Sequence, residues 1–157
     1  MNILQLHGIW KNIFIVSLFT TITSTYSAYG QVTRLDSIVV EVTGNEFNWN
    51  FRYPGEDGIF GTIDDRHSVQ DLFLPDNTPV TLKLSSKDYV YSFALPDLDM
   101  EEIAVPDLSF EMQFNTGKEQ TMPLMGDQLC GYIHPTLIGK VYIRNQSHGF
   151  YTWANGS

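Results

Sequence analysis

Short runs of alternating apolar and polar residues recur along most of the chain, and they constrain its fold more than any other feature. Residues 47–53, FNWNFRY, place four aromatic side chains on one face of an extended strand and three polar ones on the other. Similar runs lie at 37–43, 72–74, 79–84, 89–95, 108–114, 120–125 and 140–144. Seven or eight short strands, with turns about every ten residues, predict an all-β sandwich in a single domain.

Two polar stretches interrupt this alternation. Residues 56–65 (EDGIFGTIDD) and 97–106 are expected to be acidic loops, and His67 is expected to lie on a polar surface loop. The aspartates of the first stretch could place oxygens around Ca²⁺. Their spacing differs from that of an EF-hand, however, and a solvated loop is the favoured interpretation.

The first thirty residues differ in composition from the rest of the chain. They contain one basic residue, Lys11, no acidic residue, and an apolar run over about residues 13–22 that is followed by Ser27-Ala28-Tyr29-Gly30. This order predicts a signal peptide over residues 1–30, and a membrane-spanning anchor is the alternative.

Removal of this segment leaves a domain over residues 31–145 and a tail over 146–157. The protein is then expected to be exported, to the periplasm or the cell surface. It would touch a membrane only through residues 1–30, if they are not cleaved.

The charge balance narrows the choice of partners. The chain has 18 acidic and 9 basic residues, with a net charge of −9 at pH 7. An acidic surface argues against nucleic acid and favours a basic redox or copper-carrying protein as a partner. The alternative is that the acidity only keeps an exported protein soluble. No independent catalytic site stands out in the sequence, so its status as an enzyme is left undecided.

One segment of the chain combines two side chains that copper prefers. The only cysteine, Cys130, lies four residues before His134 in the segment Thr121–Val141, TMPLMGDQLCGYIHPTLIGKV. A thiolate and an imidazole are suitable copper ligands, but a closed site needs three or four. The pattern therefore predicts half of a copper site.

Four segments of the chain together resemble the soluble copper A domain of cytochrome c oxidase subunit II. They are FRYPG (51–55), SKDYVYSF (86–93), EIAVPDL (102–108) and PLMGDQLCGYIHPTLIGKV (123–141). The resemblance runs from about Ser37 to Arg144 and implies a cupredoxin-like Greek-key β-sandwich.

The resemblance also implies a set of copper ligands, most of which this chain has replaced. In the family, two copper ions share two cysteines of a Cys-x-Glu-x-Cys-x-x-x-His-x-x-Met loop, and an earlier strand adds a histidine. Cys130 and His134 keep their positions here, and Gln128 stands where the backbone carbonyl is a ligand. The other ligand positions carry Tyr91, Gly126 and Leu137. The expected site is degraded: it holds one copper ion at most, and a dinuclear centre is not expected.

Three functions remain open. In the first, the chain is a non-catalytic binding or scaffold domain related to respiratory electron transfer, in which Tyr91 and Leu137 fill the vacated space. In the second, Cys130 and His134 bind a single copper for Cu(I) delivery, storage or electron transfer. In the third, the chain is the electron-transfer subunit of an oxidase and an oxidase membrane subunit is its partner.

The second function would gain from further soft ligands near the loop. Met122 and Met125 precede it, and their thioethers suit Cu(I). The alternative is that both methionines pack in the core.

Overall fold

Ten β-strands form two five-stranded sheets in the computed structural model, which describes residues 36–129, 137–146, 150 and 153. In chain order they are β1 (Ile38–Asn45), β2 (Asn48–Tyr53), β3 (Arg66–Val69), β4 (Leu72–Pro75), β5 (Pro79–Ser86), β6 (Tyr91–Leu95), β7 (Met100–Ala104), β8 (Phe110–Asn115), β9 (Gln120–Gln128) and β10 (Gly139–Arg144). A short 3₁₀ turn, Pro96–Leu98, joins β6 to β7.

The order of the strands is that of a Greek-key sandwich. The first sheet runs β3-β2-β1-β5-β8 and the second runs β4-β10-β9-β6-β7. The pairs β1–β5 and β4–β10 are parallel, and the other neighbouring strands are antiparallel. The predicted all-β sandwich is confirmed.

The core follows the alternation that the sequence predicts. Trp49, Phe51 and Tyr53 on β2 are all at most 2% exposed, and the polar residues between them are only half-buried. The alternate residues Val80, Leu82 and Leu84 of β5 are buried in the same way. One face of each central strand therefore supplies the core, because successive side chains of a strand point to opposite faces.

Two strands were not predicted from the sequence, and both lie at sheet edges. His67 belongs to β3 rather than to a loop, and residues 100–104 of the expected acidic loop 97–106 form β7. Each strand pairs with a single neighbour and buries few side chains, so it has no need of an apolar face. Such a strand cannot be distinguished from a polar loop by its periodicity.

The described residues of the predicted tail pack against the sandwich. Trp153 stacks on Phe73 of β4, with ring centroids 4.5 Å apart, and meets the ring of Tyr53 edge-on at 4.7 Å. Phe150 is only 5% exposed, and the side-chain amide of Gln146 donates a hydrogen bond to the hydroxyl of Thr78 at 2.7 Å. The contacts of Trp153 with Phe73 and Tyr53 therefore connect a residue beyond the last strand to both sheets.

Several predictions fall outside the described residues. They include the signal peptide over residues 1–30 and the two retained ligand positions, Cys130 and His134. Within residues 36–129, 137–146, 150 and 153, no helix has the length and hydrophobicity needed to cross a membrane.

We predict that Trp153→Ala lowers the free energy of unfolding by about 1–3 kcal/mol, because two stacked or edge-on aromatic contacts are lost. Urea denaturation followed by circular dichroism measures this loss. Ile63→Ala is the control, because that side chain is fully exposed, and it should change stability by less than about 0.5 kcal/mol. Equal stability of Trp153→Ala and the unmodified chain would contradict the prediction.

Candidate metal centre

The described positions that the resemblance assigns to copper ligands lie at one end of the sandwich. In the pairing of β6 with β9, Tyr91 stands opposite Gln128 and Phe93 opposite Gly126. Leu137 lies two residues before β10, on the C-terminal side of the segment that contains Cys130 and His134. The structure thus places Tyr91, Gly126 and Gln128 together.

The indole of Trp49 brings Leu137 into this group. Trp49 is fully buried, and its Nε1–H donates a hydrogen bond to the carbonyl of Leu137 at 3.2 Å. Its ring meets Tyr91 edge-on at 5.8 Å and Phe93 edge-on at 5.0 Å. Tyr91 and Leu137 therefore contact the same ring, although they lie on different strands and loops.

Two glycines make room for the rings at this end. A Cβ atom on Gly126 would lie 2.7 Å from Nε1 of Trp49 and 3.0 Å from the carbonyl oxygen of Ser92. A Cβ atom on Gly44 of β1 would overlap the ring of Tyr91. Both glycines are needed because the aromatic side chains pack directly against their backbones.

The hydroxyl of Tyr91 is satisfied by protein groups. It donates a hydrogen bond to Oδ1 of Asp88 at 2.7 Å and accepts one from the backbone N–H of Phe47 at 3.3 Å. Burial and the neighbouring Asp88 raise the pKa of Tyr91 to about 12. At neutral pH the side chain is therefore a neutral phenol, which is a poor ligand for copper.

Asp88 connects this tyrosine to the turn between β1 and β2. Its carboxylate accepts hydrogen bonds from the backbone N–H groups of Glu46, at 2.7 Å, and Tyr89, at 2.8 Å. Desolvation alone would raise the pKa of Asp88, but the hydrogen bonds from Tyr91, Glu46 and Tyr89 outweigh it and lower that pKa. The carboxylate is thus held in its ionised form.

The turn that Asp88 and Tyr91 support has an unusual backbone. Glu46 and Phe47 have φ angles of 50° and 60°, in the left-handed region that glycine, asparagine and aspartate usually occupy. Two backbone N–H groups of the turn donate to Asp88 and Tyr91. These hydrogen bonds compensate for the backbone strain.

Both ends of the segment between Leu129 and Leu137 are fixed to the sandwich by hydrogen bonds. At one end, the N–H of Leu129 donates to the carbonyl of Val90 at 3.0 Å. At the other end, the side-chain amide of Gln70 donates to the carbonyl of Ile138 at 2.8 Å, next to the bond between Trp49 and Leu137. These three hydrogen bonds hold the flanks of the segment without any metal ligand.

The two methionines that could have helped to bind Cu(I) do not converge. Met122 is 2% exposed and points into the core, whereas Met125 is 46% exposed on the opposite face of β9. Residues three apart in a strand point to opposite faces, so one ion cannot contact both. Of the two, only Met122 packs in the core, as the alternative interpretation expected of both.

The carboxylates of the acidic loop are occupied by hydrogen bonds within the loop. Asp57 accepts from the N–H of Ile59 at 2.8 Å, and Asp65 from the N–H of Gly61 at 2.7 Å. Asp64 accepts from the hydroxyl of Thr62 at 2.6 Å. In the part of the chain that the structure describes, no group of three or more histidine, cysteine or acidic side chains could hold a metal ion.

The described ligand positions do not fit a dinuclear copper A centre. Gly126 has no side chain, and Leu137 is a fully buried hydrocarbon. The hydroxyl of Tyr91 is engaged by Asp88 and Phe47. These three positions offer copper no thiolate, imidazole or thioether. Among the described ligand positions, only Gln128 can still offer the same ligand atom as in the family, because that ligand is a backbone carbonyl.

Comparison with known proteins identifies relatives of one type. The chain is 27% identical over 140 residues to an alternative cytochrome c oxidase subunit 2 of Bradyrhizobium diazoefficiens, a match that covers 75% of this chain and 50% of that protein. It is 28% identical over 116 residues to cytochrome c oxidase subunit 2 of Thermostichus vulcanus, covering 74% of this chain and 32% of that protein. The chain thus spans a third to a half of these curated relatives. No protein-family model matches it.

Solved structures share the fold. The periplasmic domain of subunit II of cytochrome oxidase from Bradyrhizobium japonicum superimposes with a TM-score of 0.63 at 20% identity, over 80% of this chain and 95% of that one. The same type of domain, in a mixed disulfide with a thioredoxin-like protein, gives a TM-score of 0.61 at 20% identity, over 78% and 92%. These structures confirm the cupredoxin-like sandwich.

We predict that Gly126→Ala destabilises the chain by about 1–3 kcal/mol, because the added methyl group overlaps the indole of Trp49. In a Trp49→Phe background, which has a smaller ring, the same change should cost less by at least about 0.5 kcal/mol. Urea denaturation of the four chains in this double-mutant cycle measures the difference. An equal cost in both backgrounds would show that the indole is not what Gly126 accommodates.

A second prediction concerns the dependence of stability on pH. Because the pKa of Asp88 is lower in the folded state, its contribution to stability is complete above the ordinary carboxyl pKa. That contribution is lost as the pH falls through the folded-state pKa. Asp88→Asn should therefore reduce the loss of stability between neutral pH and about pH 3, as measured by urea denaturation. Glu119→Gln removes an exposed carboxylate outside this cluster and controls for net charge.

Proposed function

We propose that this chain, whose domain is of the cytochrome c oxidase subunit II type, is an exported, non-catalytic binding or scaffold domain related to respiratory electron transfer, with a degraded copper A site. Its relatives are subunits of oxidases, and the chain spans a third to a half of their length. The role of the whole oxidase is therefore not assumed for it.

The observation that carries this proposal is the way in which the ligand end is filled. Tyr91 occupies the position of the strand histidine, and its hydroxyl is bonded to Asp88 at 2.7 Å. The indole of Trp49 lies against Gly126 and is bonded to Leu137 at 3.2 Å. Buried polar groups at this end therefore have protein partners, so the end does not need a metal ion to satisfy them.

The alternative of a single copper ion rests on Cys130, His134 and the carbonyl of Gln128. Because Met122 and Met125 lie on opposite faces of β9, at most one of them could join this set of one thiolate and one imidazole. A single copper ion bound in this way would serve copper delivery, copper storage or electron transfer. The experiment below must exclude such binding.

We also propose a location and a partner. Residues 1–30 have the order of a signal peptide, and the solved neighbours are named as periplasmic domains. A periplasmic or cell-surface domain of this type would bind an oxidase membrane subunit, or a basic redox or copper protein that complements the net charge of −9. Mass spectrometry of the exported chain would locate the cleavage site, which is expected near Gly30–Gln31.

The test is copper reconstitution of the purified chain with Cu(I) and with Cu(II), followed by chelator treatment. We expect copper well below one ion per chain, no intense thiolate-to-copper absorption band, and an unchanged melting temperature. The last expectation follows because only a ligand that binds the folded state stabilises it. Cys130→Ala and His134→Ala should behave like the unmodified chain, and His67→Ala on the exposed edge strand β3 is the matched control.

Other results would contradict the proposal in distinguishable ways. One copper ion per chain that is lost in Cys130→Ala but kept in His67→Ala would establish a mononuclear site. Two copper ions per chain with a mixed-valence spectrum would establish the dinuclear centre of the family.

A further inference from the structure

Three oxidisable rings form a continuous path from the surface to the core at this end of the sandwich. Tyr89 is 46% exposed, whereas Tyr91 and Trp49 are fully buried. The ring centroids of Tyr89 and Tyr91 are 6.3 Å apart, and those of Tyr91 and Trp49 are 5.8 Å apart. Tyrosine and tryptophan are the aromatic side chains that lose one electron most readily, and neighbouring rings at such distances exchange electrons fast.

The middle ring of this path has a base for its proton. A phenol that loses an electron becomes a strong acid, so a buried tyrosine is oxidised easily only where a proton acceptor touches its hydroxyl. Oδ1 of Asp88 accepts the hydrogen bond of Tyr91 at 2.7 Å, within the range of charge-assisted hydrogen bonds. The N–H groups of Glu46 and Tyr89 keep that carboxylate ionised, and so able to accept a proton.

Among the described residues, the buried hydroxyl of Tyr53 and the indole N–H of Trp49 have no such acceptor. Tyr53 is 2% exposed, and its hydroxyl accepts the N–H of Phe73 at 2.9 Å and contacts the hydroxyl of Ser68 at 3.3 Å, so both of these partners are neutral. The Nε1–H of Trp49 donates to a backbone carbonyl, which is a much weaker base than a carboxylate. Of the three rings, Tyr91 therefore has the most stable one-electron-oxidised state.

We propose that Tyr91 is a redox-active tyrosine, which gives up single electrons to the surface through Tyr89 and shares its proton with Asp88. In the oxidation step a high-valent metal centre of a redox partner takes one electron from Tyr91 and is itself reduced by one electron. The O–H bond breaks, the proton moves to Oδ1 of Asp88, and a neutral tyrosyl radical and a protonated carboxyl remain. Re-reduction by one electron returns the proton to the phenol.

The contact between the hydroxyl of Tyr91 and the carboxylate of Asp88 couples the two transfers. The short hydrogen bond lets the proton leave with the electron, without water entering the core. This activity uses no metal ion and goes beyond the proposed scaffold role.

The test uses the full chain after chelator treatment, oxidised by photogenerated tris(bipyridine)ruthenium(III) and followed by transient absorption and by electron paramagnetic resonance after freezing. We expect a long-lived tyrosyl signal in the unmodified chain. Tyr91→Phe, which keeps the ring against Trp49, should abolish that signal. Tyr53→Phe is the matched control, because it removes the hydroxyl of an equally buried tyrosine, and the signal should persist in it.

A second measurement isolates the role of the carboxylate. Asp88→Asn should shorten the lifetime of the radical several-fold, provided that circular dichroism and melting show an intact fold. If that variant loses its fold, the solvent deuterium isotope effect on radical formation in the unmodified chain takes its place, and we expect a slower rate in D₂O. An undiminished signal in Tyr91→Phe, or a rate that is equal in H₂O and D₂O, would overturn the proposal.

Discussion

The buried indole of Trp49 is the contact on which the ligand end of the sandwich depends. It fills the space between the two sheets, and its N–H holds the carbonyl of Leu137, two residues before the last strand. Gly126 allows it to approach the backbone of β9, and Phe93 and Tyr91 enclose its ring. In a protein interior packed as densely as a crystal, such a ring leaves little freedom for its neighbours, so this end is ordered by shape and hydrogen bonds.

The sequence predicts the central strands well because their burial is one-sided. Trp49, Phe51 and Tyr53 alternate with polar residues, and this period has one structural interpretation. The edge strands β3 and β7 were missed because an edge needs few apolar residues, and charged ones protect it from pairing with other chains. Strand existence can thus be predicted where a strand covers the core, and less well where it borders solvent.

The mutual placement of three described positions could be predicted, but not their detailed contacts. The resemblance placed Tyr91, Gly126 and Gln128 at one end, since register follows from the matched segments. The partnership of Tyr91 with Asp88 and the left-handed turn could not be foreseen. It requires a hydrogen bond between backbone and side chain across 42 residues, for which no local pattern exists. The aspartate three residues before Tyr91 in SKDYVYSF was its only sequence signal.

The central place of β10 in its sheet has a consequence for how the chain reaches its fold. This last strand lies between β4 and β9, and the bond between Lys140 and Asp71 joins residues 69 positions apart. The edge of β4 therefore has no strand partner until nearly the whole chain is available, and contacts of such long sequence separation slow folding. During synthesis the edge of β4 would thus stay open until residues 139–144 have been added, after which the second sheet can close in one cooperative step.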